Sequence, residues 1–161
     1  MDKQQNQNCA YCALANQNFE NTKLIFEDDD FKAIFVSQTS LGHVIIIPKE
    51  HFIIASQVPE YVIEKIYSIV PDVIKKVSMI LKADSFTIVS NSGVQQKIAH
   101  YSLHIMPRKE NDKLGFEWNK KSMTEDSIKV LREQLMNENV KVINHNKKPE
   151  EVRAEFVRRL P

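Results

Sequence analysis

Long apolar runs are missing from this chain of 161 residues. Its most hydrophobic stretch, Val44-Ile-Ile-Ile47, falls far short of the roughly 20 residues that a membrane-spanning helix needs, so no membrane partner is expected. Charge of one sign is missing as well. Twenty-two Lys and Arg stand against 21 Asp and Glu, a formal net charge of +1, and no specific nucleic-acid partner is indicated without a basic excess. With only 3 glycines and 6 prolines there are no low-complexity segments, and no internal repeat is visible. Cysteine is nearly absent, with 2 residues. The start, Met1-Asp-Lys-Gln-Gln-Asn-Gln-Asn8, lacks the apolar stretch of a secretory signal. A cytoplasmic setting is therefore expected, in which two cysteines serve as metal ligands or buried thiols rather than a disulfide.

The remainder suits one domain with a real core, at 42% hydrophobic and 27% charged residues. Leu24–Phe26 and Phe31–Ser37 read as strands around an acidic turn, Glu27-Asp28-Asp29-Asp30. His43–Pro48 is a β-branched strand whose continuous apolar character predicts burial on both faces. Val58–Ala83 carries apolar residues at three- and four-residue spacing and reads as the main helix, kinked or split at Pro71. Phe86–Ser90 is a further strand. A second helix is expected to start at Ser122 or Thr124 and run to Met136. A short strand at Lys141–Ile143 and a last helix at Glu150–Arg159 follow. In domain terms, residues 1–8 form a flexible leader, 9–121 the core, and 122–161 a helical extension packed on it.

The chemistry concentrates between Asn91 and Arg108. A turn at Asn91 and Gly93 leads into an extended run with His100, Ser102 and His104 at alternate positions, so their side chains project from one strand face. Upstream, Cys9-Ala-Tyr-Cys12 reads alone as half a zinc site, a redox pair or chance. No strand precedes it, which argues against the redox reading. Together with His51 at a strand end and His100, it supplies two sulfurs and two imidazoles, the donor set of a closed structural zinc site.

Gly42-His43-Val-Ile-Ile-Ile-Pro48-Lys-Glu-His51, with Asn91-x-Gly93, Gln96 and His100-Tyr-Ser-Leu-His104-Ile-Met-Pro107-Arg108, resembles the histidine triad (HIT) superfamily of nucleotide hydrolases and transferases. The resemblance covers residues 9–118. It implies an α+β fold, with an antiparallel sheet of about five strands and two main helices, usually paired as a homodimer. It implies structural Zn²⁺ on Cys9, Cys12, His51 and His100, and attack on the α-phosphorus of a nucleotide by the central histidine of His-x-His-x-His. By position, His43, His104, Gln96, Asn91 and Gly93 match the phosphate side of that site.

The chain departs from the pattern at the nucleophile, where Ser102 stands. A serine hydroxyl needs a general base, and loss of a nucleophile costs on the order of 10⁶ in rate where catalytic groups act as a unit. The loop from Asn91 to His100 is about two residues shorter than is common, Lys97 replaces a small hydroxyl residue, and no acidic residue lies near Phe35, Val36 and Ser37 to meet a ribose. Ser37 is left as a single ribose contact. The expected function is binding of a nucleotide or nucleoside phosphate with lost or much reduced hydrolysis. The alternatives are an active hydrolase or nucleotidyl transferase, with Ser102 as nucleophile and His104 or His43 as base, and a dimeric interaction module using Met123–Pro161.

Overall fold

A computed structural model of the chain describes residues 8–17, 23–36, 39–115 and 122–137. They fall into two units, residues 1–114 and 115–161. Ser37, Trp118, the strand expected at Lys141–Ile143 and the helix expected at Glu150–Arg159 lie outside the described residues.

The first unit is built on one antiparallel sheet of five strands. These are β1 (Leu24–Glu27), β2 (Phe31–Phe35), β3 (Val44–Pro48), β4 (Ser85–Val89) and β5 (Leu103–Arg108), in the order β1-β2-β3-β5-β4. The acidic turn closes the β1–β2 hairpin, where the Asp28 carboxylate accepts from the backbone N–H groups of Asp30 and Phe31. β3 lies at the centre and is buried along its whole length, as its unbroken β-branched run predicts.

Helix α2 (Glu60–Leu81) covers one sheet face. Val62, Ile66, Val70, Val73 and Val77 form its buried stripe and pack on Phe31, Ala33, Val44, Ile46, Leu103 and Ile105. Of the two outcomes expected at Pro71, a kink or a split, the split does not occur: the helix runs unbroken through it. The proline sits on the exposed side, where water can reach the carbonyl it leaves without a donor. Five buried aliphatic side chains at about 1.5–3 kcal/mol each outweigh the ~3 kcal/mol cost of one helical proline. Leu81 extends the stripe to the end of the helix, while Ile80 points away from it at 77% exposure.

Helix α1 (Ala10–Asn16) lies on the opposite face, with Ala15 buried beside Ile34, Ile45 and Ile47. Tyr11, Leu14 and Val36 pack around that second, smaller core. At seven residues α1 is too short to hold its shape alone, and its attachments to the sheet set its position. The second unit contributes α3 (Glu125–Asn137), started by Thr124, whose hydroxyl accepts from the Ser127 backbone N–H at 3.3 Å. All described residues of α3 are exposed in that unit.

Candidate functional site

Two side-chain clusters occupy the α1 face of the sheet. The first joins α1 to the facing ends of β3 and β5. Cys9 is the N-cap of α1 and Cys12 lies one turn on, a spacing that places both thiols on one side. His51 follows the end of β3, and His100 precedes β5. The His100 Nδ1 atom lies 3.4 Å from Cys9 Sγ and 3.5 Å from Cys12 Sγ, and His51 Nδ1 lies 3.2 Å from Cys12 Sγ. All four donor atoms fall within 4.8 Å of one another. For Zn–S of about 2.3 Å and Zn–N of about 2.0 Å, a tetrahedron has S···N edges of roughly 3.5 Å, so the donors already stand at the corners a zinc ion requires. His100 Nε2–H donates to the Pro48 carbonyl at 3.1 Å, which turns the lone pair of Nδ1 toward the thiols. Burial pushes His100 down to about 4, against the Pro48 bond that acts to raise it, so the ring is neutral and available as a ligand.

The second cluster is the pair of imidazoles with a hydroxyl. Gly42 introduces β3 at φ +83°, and a Cβ there would collide with Leu81 Cδ1 and crowd Pro107 Cγ at 3.3 Å. This tight turn delivers His43 to the α1 face next to β5. His43 Nε2 lies 3.0 Å from His104 Nδ1, and His104 Nε2 lies 3.1 Å from Ser102 Oγ. Ser102 and His43 are buried and His104 is half-buried. Desolvation, then the neighbouring His104, pushes His43 down to about 4, and desolvation lowers His104 too. Both rings are neutral at pH 7, each with one proton to place between two nitrogens. Chemically, the row offers a hydroxyl backed by a base, itself oriented by a second imidazole.

The strand carrying these groups starts later than expected. β5 begins at Leu103; a bend over residues 97–100 precedes it, in which His100 N–H donates to the Ile98 carbonyl, and Tyr101 N–H donates across to the Phe52 carbonyl. His100 consequently leaves the row and joins the thiols, while Ser102 and His104 stay together. The loop residues are placed differently again. Gln96 Oε1 accepts from Gly93 N–H at 3.0 Å, and its Nε2 donates to the Ile53 carbonyl at 2.7 Å, so its amide braces the loop backbone. Among the described residues, neither Gln96 nor Asn91 hydrogen-bonds to a side chain of the imidazole row. Gly93 holds φ +76° at the start of a short 3₁₀ turn, Gly93–Gln95.

Two residues of this face carried no signal in the sequence reading. Tyr11, between the cysteines, is half-buried against the second core and packs edge-on against His100, with ring centroids 6.0 Å apart. Lys32, 5% exposed in β2, donates to the Gln17 carbonyl at the end of α1 at 2.8 Å and pairs with Glu27 at 3.4 Å. Tyr11 becomes legible once Cys9–Cys12 is known to be the first turn of a helix. Lys32 lies in a strand of otherwise apolar residues, which hides a buried cation.

A HIT domain matches residues 18–111 of this chain. The chain belongs to the HIT family. Among HIT proteins it is 33% identical to adenylylsulfatase HINT3 of Arabidopsis thaliana over 128 residues, covering 78% of this chain and 63% of that protein. It thus spans less than two thirds of that relative's length. It is 28% identical to adenosine 5'-monophosphoramidase hnt1 of Schizosaccharomyces pombe over 130 residues, covering 79% of this chain and 95% of that one. A HIT-family protein of Bacillus subtilis shares the fold at a TM-score of 0.73 and 19% identity, over 84% of this chain and 100% of the other. A Zn-bound histidine triad protein of Mycobacterium smegmatis aligns at a TM-score of 0.58 and 27% identity, over 80% of this chain and 94% of the other.

Proposed function

We propose that this HIT protein binds a nucleotide or nucleoside phosphate on the His43–Ser102–His104 row, with hydrolysis lost or much reduced. The observation that carries this reading is the hydroxyl of Ser102, 3.1 Å from His104 Nε2, at the position where the triad pattern places its nucleophilic imidazole. Two neutral imidazoles and hydroxyl groups are well suited to phosphate oxygens. A serine ester of phosphorus lacks the protonatable nitrogen that lets a phosphoramidate break down, so covalent turnover through Ser102 would stall. The relatives named for adenylylsulfate and adenosine 5'-monophosphoramide chemistry support an adenine nucleotide as first probe. Calorimetric titration with purine nucleotides tests the reading: saturable binding is expected, and no heat at millimolar concentration removes it.

A second reading has a specific observation in its favour. Ser102, His104 and His43 stand in the order nucleophile, base, orienting group, with contacts of 3.1 and 3.0 Å. In that reading the protein hydrolyses nucleoside phosphoramidates slowly, and Ser102→Ala abolishes the activity.

Zinc is the metal that Cys9, Cys12, His51 and His100 would hold. Its role is structural: four protein donors fill the tetrahedron and no position is left for substrate. We also propose a homodimer, supported by β4 as an edge strand with Ile88 43% exposed, to be checked by sedimentation. A reducing cytoplasmic location fits two cysteines that form no disulfide and face histidines.

A further inference from the structure

We infer that Gln96 is a positioning residue of the metal centre: its side-chain amide ties the segment that presents His51 to the segment that presents His100, and so sets how the two imidazoles stand to each other. The inference rests on the zinc reading of Cys9, Cys12, His51 and His100. It moves Gln96 away from the phosphate side, where the family resemblance puts it, to the other cluster.

Both histidines stand outside the strands. His51 follows the end of β3, and His100 ends the bend that precedes β5. A ligand carried on a loop is placed only as well as the loop backbone is held. Among the described residues, three hydrogen bonds join residues 48–54 to residues 96–101. His100 Nε2–H donates to the Pro48 carbonyl at 3.1 Å, Tyr101 N–H to that of Phe52 at 2.5 Å, and Gln96 Nε2–H to that of Ile53 at 2.7 Å. The first comes from a ligand ring and the second from the backbone. Gln96 is thus the one side chain outside the donor set that bridges the two segments.

Its amide is oriented from both ends. Oε1 accepts from Gly93 N–H at 3.0 Å, and the Gln96 backbone N–H donates to the Gly93 carbonyl at 2.9 Å, closing the turn Gly93–Gln95 on itself. With Oε1 engaged there, Nε2 directs its two hydrogens at the Ile53 carbonyl and, at 3.5 Å, at the carbonyl of His100 itself. From the other side, Gln57 Oε1 accepts from the N–H groups of Ile53 and Ile54 at 2.8 and 3.4 Å. Ile53, two residues past His51, is therefore held through its N–H by one glutamine and through its carbonyl by the other. The imidazoles so placed stand edge to face, with centroids 5.1 Å apart and planes at 87°, and each turns Nδ1 to a thiol. An amide with both hydrogens aimed at backbone carbonyls has none left to donate to a phosphate oxygen.

The test uses the full chain and compares wild type with Gln96→Met, which keeps the length and loses every amide hydrogen bond. Gln96→Glu serves as a second variant, since it keeps the acceptor for Gly93 and loses the donor to Ile53. Each protein is titrated with zinc in competition with a chromogenic chelator, and with cobalt(II), whose visible bands report the geometry of a tetrahedral thiolate and imidazole site. A general loss of fold stability lowers the metal-free and loaded forms alike and leaves metal affinity unchanged, whereas lost positioning lowers affinity. Both variants are expected to bind zinc about tenfold or more weakly, as when groups behind metal ligands are removed, and to shift the cobalt bands. Unchanged zinc affinity or an unchanged cobalt spectrum overturns the inference. If the variants instead lose affinity for adenosine 5'-monophosphate while zinc affinity holds, Gln96 belongs to the phosphate site. Wild type that takes up neither metal removes the zinc reading and this inference together; tight zinc in wild type and variants alike removes the role of Gln96 alone.

Discussion

Removing the metal should release α1 while leaving the sheet intact. Ordering the ten residues Asn8–Gln17 costs on the order of 10–20 kcal/mol at about 1–2 kcal/mol of backbone entropy each. Against this, α1 offers Cys9, Cys12 and Ala15 buried, and Tyr11 and Leu14 half-buried, together about 4 kcal/mol of apolar burial. The Lys32–Gln17 hydrogen bond adds about 1 kcal/mol. The shortfall is of the size that structural zinc supplies, roughly 10–16 kcal/mol in small zinc domains. The assay is the reaction of Cys9 and Cys12 with a chromogenic disulfide, before and after chelation, alongside hydrogen exchange. Chelation should turn two slow thiols into two fast ones and strip protection from the amides of α1. The amides of β3, buried under α2 and flanked on both sides by paired strands, should keep theirs. Thiols that stay slow in verified metal-free protein would refute the reasoning, because α1 would then be held by packing alone.

Three further outcomes are expected. Gly42→Ala should destabilise the fold by about 1–3 kcal/mol, from its positive φ and the collision with Leu81, and denaturant midpoints measure this. Burial holds His43 at about 4 in the folded state, below its ordinary value near 6.5. The unfolded chain therefore binds the proton first, and the stability His43 contributes is full above about pH 6.5 and is lost as pH falls toward 4. Urea midpoints measured between pH 7.5 and 4.5 should fall, and His43→Gln should flatten that slope. Ser102→His should gain phosphoramidase turnover by about 10²-fold or more, because it restores an imidazole at the position of the nucleophile; a continuous fluorogenic assay measures it.

Much of the sheet was legible in the sequence because its signals are local. Four consecutive β-branched residues mark β3 as the centre, and the acidic turn marks the β1–β2 hairpin. The zinc donor set was legible because four residues of the right types have few other reasons to occur together. Features that depend on three-dimensional context were not. Helix α1 is too short for a periodic pattern and has no side-chain cap. The helix continues through Pro71 because of a core on its other side. The start of β5 depends on where pairing with β3 begins, at Ile46 with Leu103, so the alternation of His100, Ser102 and His104 suggested one shared face where there are two destinations. Gln96 has the chemistry of a ligand contact, yet its amide is taken up by backbone groups, Gly93 in its own loop and Ile53 in a separate segment.

The most direct measurement of the central claim is a ³¹P NMR spectrum of adenosine 5'-phosphoramidate mixed with zinc-loaded protein, followed over hours. The site as described predicts a shifted or broadened phosphorus resonance that shows saturable binding, with no growth of the adenosine monophosphate signal. An unperturbed resonance at millimolar protein, or steady conversion that Ser102→Ala abolishes, would contradict it.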